Sequence, residues 1–227
     1  MDSEPNGMNS LYLLAIRGTL SKDSIEDSRT LHNATAGAPS SVAAAQSLGD
    51  LSHMVYVPVE SAKSGEFLIL DIWNSMEGLN QFFANPQVQQ QAGQIFSARD
   101  PVVWYAADNF STYHIPSPYG KNDRFVSFAR GLVQSRDTAI TKNNAIVTSQ
   151  LNKIRRAGNL SHEAYFKMMP PGTPESTEFL AVDAWMNASQ MKQHFQDPEF
   201  LQSINDFFSD PPTTSMWQHP PGDWVEW

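Results

Sequence analysis

Apolar residues run along this chain in two rhythms, and each rhythm comes twice. Leu11 to Arg17 and Arg124 to Arg130 are short apolar segments, long enough for a strand and too short for a helix. Leu51 to Val57, Phe67 to Trp73, Leu160 to Phe166 and Phe179 to Trp185 read the same way. Between them the period lengthens. Ile140, Val147, Leu151 and Ile154 recur at seven, four and three residues, which predicts an amphipathic helix. It ends in Lys153, Arg155 and Arg156, whose charges complement the helix dipole, and Gly158 follows as a stop. The matching stretch of the first half is broken by Gly37 and Pro39, which predicts a helix, a break, and a short helix through Val42 to Leu48. Met76, Leu79 and Phe83, and likewise Ala188, Met191 and Phe195, predict a helix after each third strand. Asn85-Pro86 and Asp197-Pro198 combine a cap with proline at the first helical position, so each helix restarts there. A last strand is expected at Val102 to Ala106 and at about Ser215 to Gln218.

The two halves also share residues. Gly49-Asp50-Leu51-Ser52-His53 returns as Gly158-Asn159-Leu160-Ser161-His162, and Glu66-Phe67-Leu68 with Asp71 and Trp73 returns as Glu178-Phe179-Leu180 with Asp183 and Trp185. Arg17-Gly18 returns as Arg130-Gly131. The matches stay in order at offsets of 109 to 113, the mark of a duplicated domain. Each copy reads strand, helix, strand, strand, helix, strand, so the expected fold class is α+β, with two tandem ferredoxin-like (βαββαβ) units and antiparallel sheets. The expected division is a disordered N-terminus at 1–8, a first domain at 9–110, a linker at 111–122 marked by Pro116, Pro118 and Gly120, and a second domain with a C-terminal tail at 123–227.

Composition narrows the function. The 227 residues carry 24 acidic and 15 basic side chains, a formal charge of -9, which argues against nucleic acid as partner. No apolar run approaches the ~18 residues of a membrane span. The absence of cysteine removes disulfides, thiolate metal sites and a cysteine nucleophile. The acidic, polar start Met1-Asp2-Ser3-Glu4-Pro5 is unlike a signal peptide, so a cytoplasmic protein is expected.

The strand Gly-x-Leu-Ser-His-x-x-Tyr, then Glu-Phe-Leu-x-x-Asp-x-Trp, then a helix ending in Asn/Asp-Pro, resembles the antibiotic biosynthesis monooxygenase family. The resemblance implies a dimeric α/β barrel, here built within one chain as a pseudo-dimer, with a homodimer of pseudo-dimers as a further option. It also implies a cofactor-independent monooxygenase, with no cofactor, acting on a small aromatic or enolisable molecule. Members that oxidise anthrones pair a pocket Trp with an Asn four residues before and a Tyr six after. Trp73 and Trp185 match the Trp, but the other positions hold Ile69 or Ala181 and Leu79 or Met191. Haem-degrading members need a histidine where this chain has Ala92 and Ile204.

The candidate residues follow from the repeat. His53 and His162 share one strand position, either as a general base titrating near working pH or as a duplicated structural histidine. Asp71, Asp183, Trp73 and Trp185 alternate with aliphatic residues along the third strands. The aliphatic face is assigned to the helices, and the aromatic-acidic face to a barrel lumen or its solvated rim. Arg17 and Arg130 are expected to pair with Asp71 and Asp183, since a carboxylate facing a cavity needs a counter-charge. His32 and Asn33, beside small residues and Gly37, mark either a ligand contact or a helix end. No histidine pair has the close spacing of a zinc site. Trp224 and Trp227 are expected to lie over the body of the protein or a partner surface. Three functions stay open: an oxygenase for an aromatic or enolisable substrate, a non-catalytic binding module, and a haem-binding barrel protein.

Overall fold

A computed structural model describes residues 11–60, 65–114 and 124–227. The expected N-terminal segment 1–8 and the linker markers Pro116, Pro118 and Gly120 lie outside the described residues. The chain divides into two compact units. Unit 1 holds the described residues up to Val55, then Gly65–Tyr105 and Gly222–Trp227; unit 2 holds the described residues of Tyr56–Ser64 and Ala106–Pro221.

Unit 1 runs β1 (Tyr12–Leu20), α1 (Ile25–Ala34), α2 (Pro39–Ser47), β2 (Asp50–Pro58, through Val55), β3 (Glu66–Trp73), α3 (Met76–Ala84), α4 (Pro86–Ile95) and β4 (Phe96–Tyr105). Its strands lie in the order β4-β1-β3-β2. Unit 2 begins with a short extra strand, β5 (Tyr113–His114), followed by β6 (Phe125–Leu132), α5 (Arg136–Arg156), β7 (Asn159–Lys167), β8 (Glu178–Trp185), α6 (Ala188–Phe195), α7 (Pro198–Phe207) and β9 (Thr213–Gln218). Its strands lie in the order β9-β6-β8-β7-β5. Apart from β5, both units are α+β with the ferredoxin-like strand arrangement.

The helices start where their caps dictate. Ser24, Ser75, Ser135 and Asn187 each accept a backbone N–H of the first turn, and Asn85 and Asp197 cap helices that begin with proline. Gly37 falls between α1 and α2, at the expected break. Gly49 and Gly158 take left-handed φ angles of 104° and 90° just before β2 and β7. The closest atoms a Cβ there would meet are the amide ends of Asn74 or Gln190, which can shift, so it is the backbone conformation that requires glycine. β4 starts at Phe96, six residues earlier than expected, because the polar run through Asp100 and Pro101 hides its first half from any apolar pattern.

The assignment of strand faces is reversed. In unit 1 the cavity bounded by Ile69 and Asp71 of β3 is closed on its other side by Phe82, Phe83, Val88 and Ala92 of α3 and α4. In unit 2, Ala181 and Asp183 of β8 share a cavity with Ile204 and Phe207 of α7. The face bearing the aspartates is therefore the one the helices cover. Both faces of β3 are buried along most of its length, so alternation could not say which one the helices take. The arginines pair differently too. Arg17 bonds Glu66 at 2.9 Å and Arg130 bonds Glu178 at 2.6 Å, which leaves the aspartates to other partners.

Candidate functional site

In unit 1 the neighbouring strands β2 and β3 carry His53 and Asp71 side by side, and α1 brings His32 to the far side of the His53 ring. Asp71 Oδ1 lies 2.6 Å from His53 Nδ1, His53 Nε2 lies 3.0 Å from His32 Nε2, and His32 Nδ1 lies 3.1 Å from Asn33 Oδ1. All three ionisable groups are buried, His32 completely. The segment 222–227 closes the array. Its backbone pairs with β2 at His53: His53 N–H donates to Trp227 O at 2.8 Å, and Trp227 N–H donates back at 3.3 Å. The Trp227 indole stacks on the His53 ring at 4.5 Å, and Trp224 packs against His32 and Phe67. Val55 N–H donates to the Glu226 carboxylate at 2.9 Å.

The cavity beside this array encloses about 570 Å³, part of it open to solvent. Its wall is mostly apolar, and His53, Asp71 and Asp50 are its ionisable groups, with Trp227 beside them. Burial and the nearby Asp71 carboxylate push the Asp50 carboxyl up to about 7, against the opposing pull of His53 and the Ser52 N–H. Burial and the His53 charge drive His32 down to about 3, so His32 is neutral. For His53, burial alone would lower the value, but the charge and hydrogen bond of Asp71 outweigh it and the net direction is up.

Unit 2 repeats the plan with different chemistry. His162 Nδ1 lies 2.9 Å from Asp183 Oδ1, and its Nε2 lies 3.1 Å from Asn143 Oδ1. Burial opposes its charge; the charge and hydrogen bond of Asp183 prevail and raise it. Tyr113 of β5 pairs with β7 opposite His162 and stacks on its ring, as Trp227 does on His53. Its hydroxyl donates to Asn159 Oδ1 at 2.7 Å. Where unit 1 has His32 and Asp50, unit 2 has the amides Asn143 and Asn159. The cavity of unit 2 spans about 590 Å³, also partly open, with His194 in its wall.

The residues expected from the sequence thus divide. His53 with Asp71, and His162 with Asp183, are brought together on the two cavities. Trp73 and Trp185 are not in either wall. Both indoles are buried one side chain behind, Trp73 against Phe82 and Trp185 against His194, and the Trp185 N–H donates to Ser127 at 2.8 Å. Both strands end in a shell that the helices already fill, which leaves no open indole face. His32 and Asn33 lie behind His53, outside the cavity wall; Asn33 clamps the segment 222–227 instead. Ala92 and Ile204, where the resemblance would place a haem ligand, are apolar wall residues. Sequence reasoning missed Asp50, Tyr113 and Asn143, and it expected Trp227 to cover the body of the protein without placing it in a cavity wall. Asp50 and Asn159 were visible as the one charge difference within the repeated Gly-x-Leu-Ser-His pentapeptide.

No protein-family model matches the sequence, and no curated protein matches it. In fold, the chain is similar to solved structures over nearly its whole length. An anthrone oxidase-like protein superposes with a TM-score of 0.64 at 15% identity, covering 94% of this chain and 92% of that one. A provisionally designated monooxygenase from Lactobacillus acidophilus gives 0.59 at 8% identity, covering 92% and 93%. A ferredoxin-fold protein of Listeria monocytogenes related to antibiotic biosynthesis monooxygenases gives 0.50 at 10% identity, covering 95% and 97%. At these identities the likeness is one of fold.

Proposed function

We propose that unit 1 binds a small, planar, largely apolar molecule with one weakly acidic proton and oxidises it with molecular oxygen, without a cofactor. The observation that carries this reading is a carboxyl held at about 7, Asp50, lining the same apolar cavity as a histidine whose charge a buried aspartate maintains. Asp50 takes the proton, because an acid with a midpoint near neutrality serves as a base at working pH. His53 has both ring nitrogens engaged, so its part is to stabilise the resulting anion by charge and not to remove the proton. Trp227 supplies the stacking surface that the sequence had suggested for Trp73. The deprotonated ligand supplies the electrons. For an anthrone-type methylene, one dioxygen molecule is consumed and the carbon loses both of its hydrogens. One oxygen atom becomes the new carbonyl oxygen, and the other leaves as water carrying those two hydrogens. The similarity in fold to an anthrone oxidase-like protein supports the substrate class.

Unit 2 favours a second reading for its own cavity. Its histidine–aspartate pair is kept, but the groups corresponding to Asp50 and His32 are amides that cannot exchange a proton, which suits binding without turnover. Among the described residues no helix is long and apolar enough to cross a membrane.

The test is oxygen uptake with hydroxylated anthrones and quinols, alongside ligand titration followed by indole fluorescence. Asp50→Asn should abolish uptake while retaining binding. Trp227→Phe should remove most of the quenching, and the Trp73→Phe, Trp185→Phe double variant should keep it. Uptake that survives Asp50→Asn would overturn the proton-acceptor role.

A further inference from the structure

We propose that Asn33, oriented by the backbone of the segment 222–227, is a positioning residue that fixes the proton on His32 and thereby keeps both ring nitrogens of His53 protonated. The argument is one of donors and acceptors. Asn33 Nδ2 donates to Asp223 O at 2.8 Å, and Val225 N–H donates to Asn33 Oδ1 at 2.9 Å. Turning the amide over would set oxygen against oxygen and N–H against N–H, so its orientation is decided by the segment. Asn33 Oδ1 therefore faces His32 Nδ1, which must carry the proton to make that 3.1 Å contact. A neutral imidazole has only one proton, so His32 Nε2 is bare and accepts. His53 Nε2, 3.0 Å away, must then donate, and His53 Nδ1 donates to Asp71. With both nitrogens donating, His53 is an imidazolium.

The groups facing His53 agree with this outcome. Asp71 comes from β3, Asp50 from β2 itself and Glu226 from the segment 222–227, all of a sign that favours the cation, with His32 on α1 the one group that opposes it. Two adjacent buried imidazoliums would repel, so the single charge settles on the ring that has the aspartate. Unit 2 reaches the same state by a shorter route. There Asn143 bonds His162 directly, and its Nδ2 donates to Ser111 O at 3.4 Å, so once more a backbone carbonyl outside the sheet core orients the amide. The same outcome from different residues in the two units argues that the charge is what has been kept.

The consequence is that docking of the segment 222–227 and the charge in the cavity of unit 1 are one event. When the segment leaves, Asn33 turns freely, His32 can shift its proton to Nε2, and His53 loses its acceptor. The test is side-chain nitrogen NMR on the full chain with labelled histidine at pH 7.5. In the unsubstituted protein His53 should show two protonated nitrogens and His32 one. Asn33→Leu removes the amide, and Val225→Pro removes the donor that orients it while leaving Asn33 in place. Either variant should lose the imidazolium signature of His53 and keep that of His162, with the backbone amide spectrum of unit 1 unchanged away from residues 32–37 and 222–227 to report that unit 1 is folded. A neutral His53 in the unsubstituted protein, or an imidazolium that persists in both variants, would overturn the proposal. The inference rests on hydrogen-bond geometry and not on turnover, so failure of the proposed oxidation would leave this result unchanged.

Discussion

Replacing Asp50 by asparagine, the residue at the matching position of unit 2, should stabilise the protein, by an amount that grows as pH rises from about 4 to about 7. Burial and Asp71 raise the Asp50 carboxyl from 3.8 in a free chain to about 7. Its folded state therefore holds a proton that the unfolded state releases, and stability falls as pH rises from about 4 to about 7. The displacement corresponds to about 4 kcal/mol once the group is ionised in both states. That displacement is already net of the attraction between Asp50 and His53, so the asparagine variant should gain up to about 4 kcal/mol above pH 7. Denaturant unfolding of both proteins between pH 4 and 8.5 measures the difference directly. The curves should nearly coincide at pH 4 and separate steadily to pH 7.5, with the variant above. Parallel curves, or a variant less stable at pH 8, would refute the reasoning, because either would mean that ionised Asp50 carries no burial cost.

Asp71→Asn should destabilise unit 1 by about 3–5 kcal/mol, since it strands the His53 charge in the interior. Because the folded state raises His53, that pair's contribution is complete below about pH 6.5 and is lost as pH rises through the folded midpoint. The Asp71→Asn defect should accordingly shrink on the alkaline side, which urea unfolding at pH 6 and pH 9 would reveal. Ser127→Ala should cost about 1–3 kcal/mol by leaving the buried Trp185 N–H without an acceptor. In unit 1 the residue matching Ser127 is Leu14, and among the described residues the Trp73 N–H has no partner, so Trp73→Phe should cost about 1 kcal/mol less than Trp185→Phe in thermal unfolding. Gly49→Ala and Gly158→Ala should each cost about 1 kcal/mol by strain at positive φ. A neutral result at either position would show that the turn can open.

Much of this molecule was settled by local chemistry. Period-two and period-3.6 patterns, side-chain caps and the Asn/Asp-Pro restarts place the elements because each depends on neighbours within a turn or two. The recurring residues did more, since their ordered offset picks His53 and His162, and Asp71 and Asp183, out of many polar residues. What local chemistry could not decide was which face of β3 and β8 the helices would cover, because both faces are apolar enough to be buried. That choice moved Trp73 and Trp185 behind the cavity walls and put Asp71 and Asp183 into them. Nor could periodicity see the contributions of Tyr113 and Trp227, which reach the second strands of their units from segments far away in sequence. His32 shows the same limit most clearly. Its neighbours in the chain read as the end of a helix, and that reading is correct. Its hydrogen-bond partners are His53 twenty-one residues away and, through Asn33, Val225 nearly two hundred away, because protons are assigned by whichever donors and acceptors the fold brings within hydrogen-bonding reach.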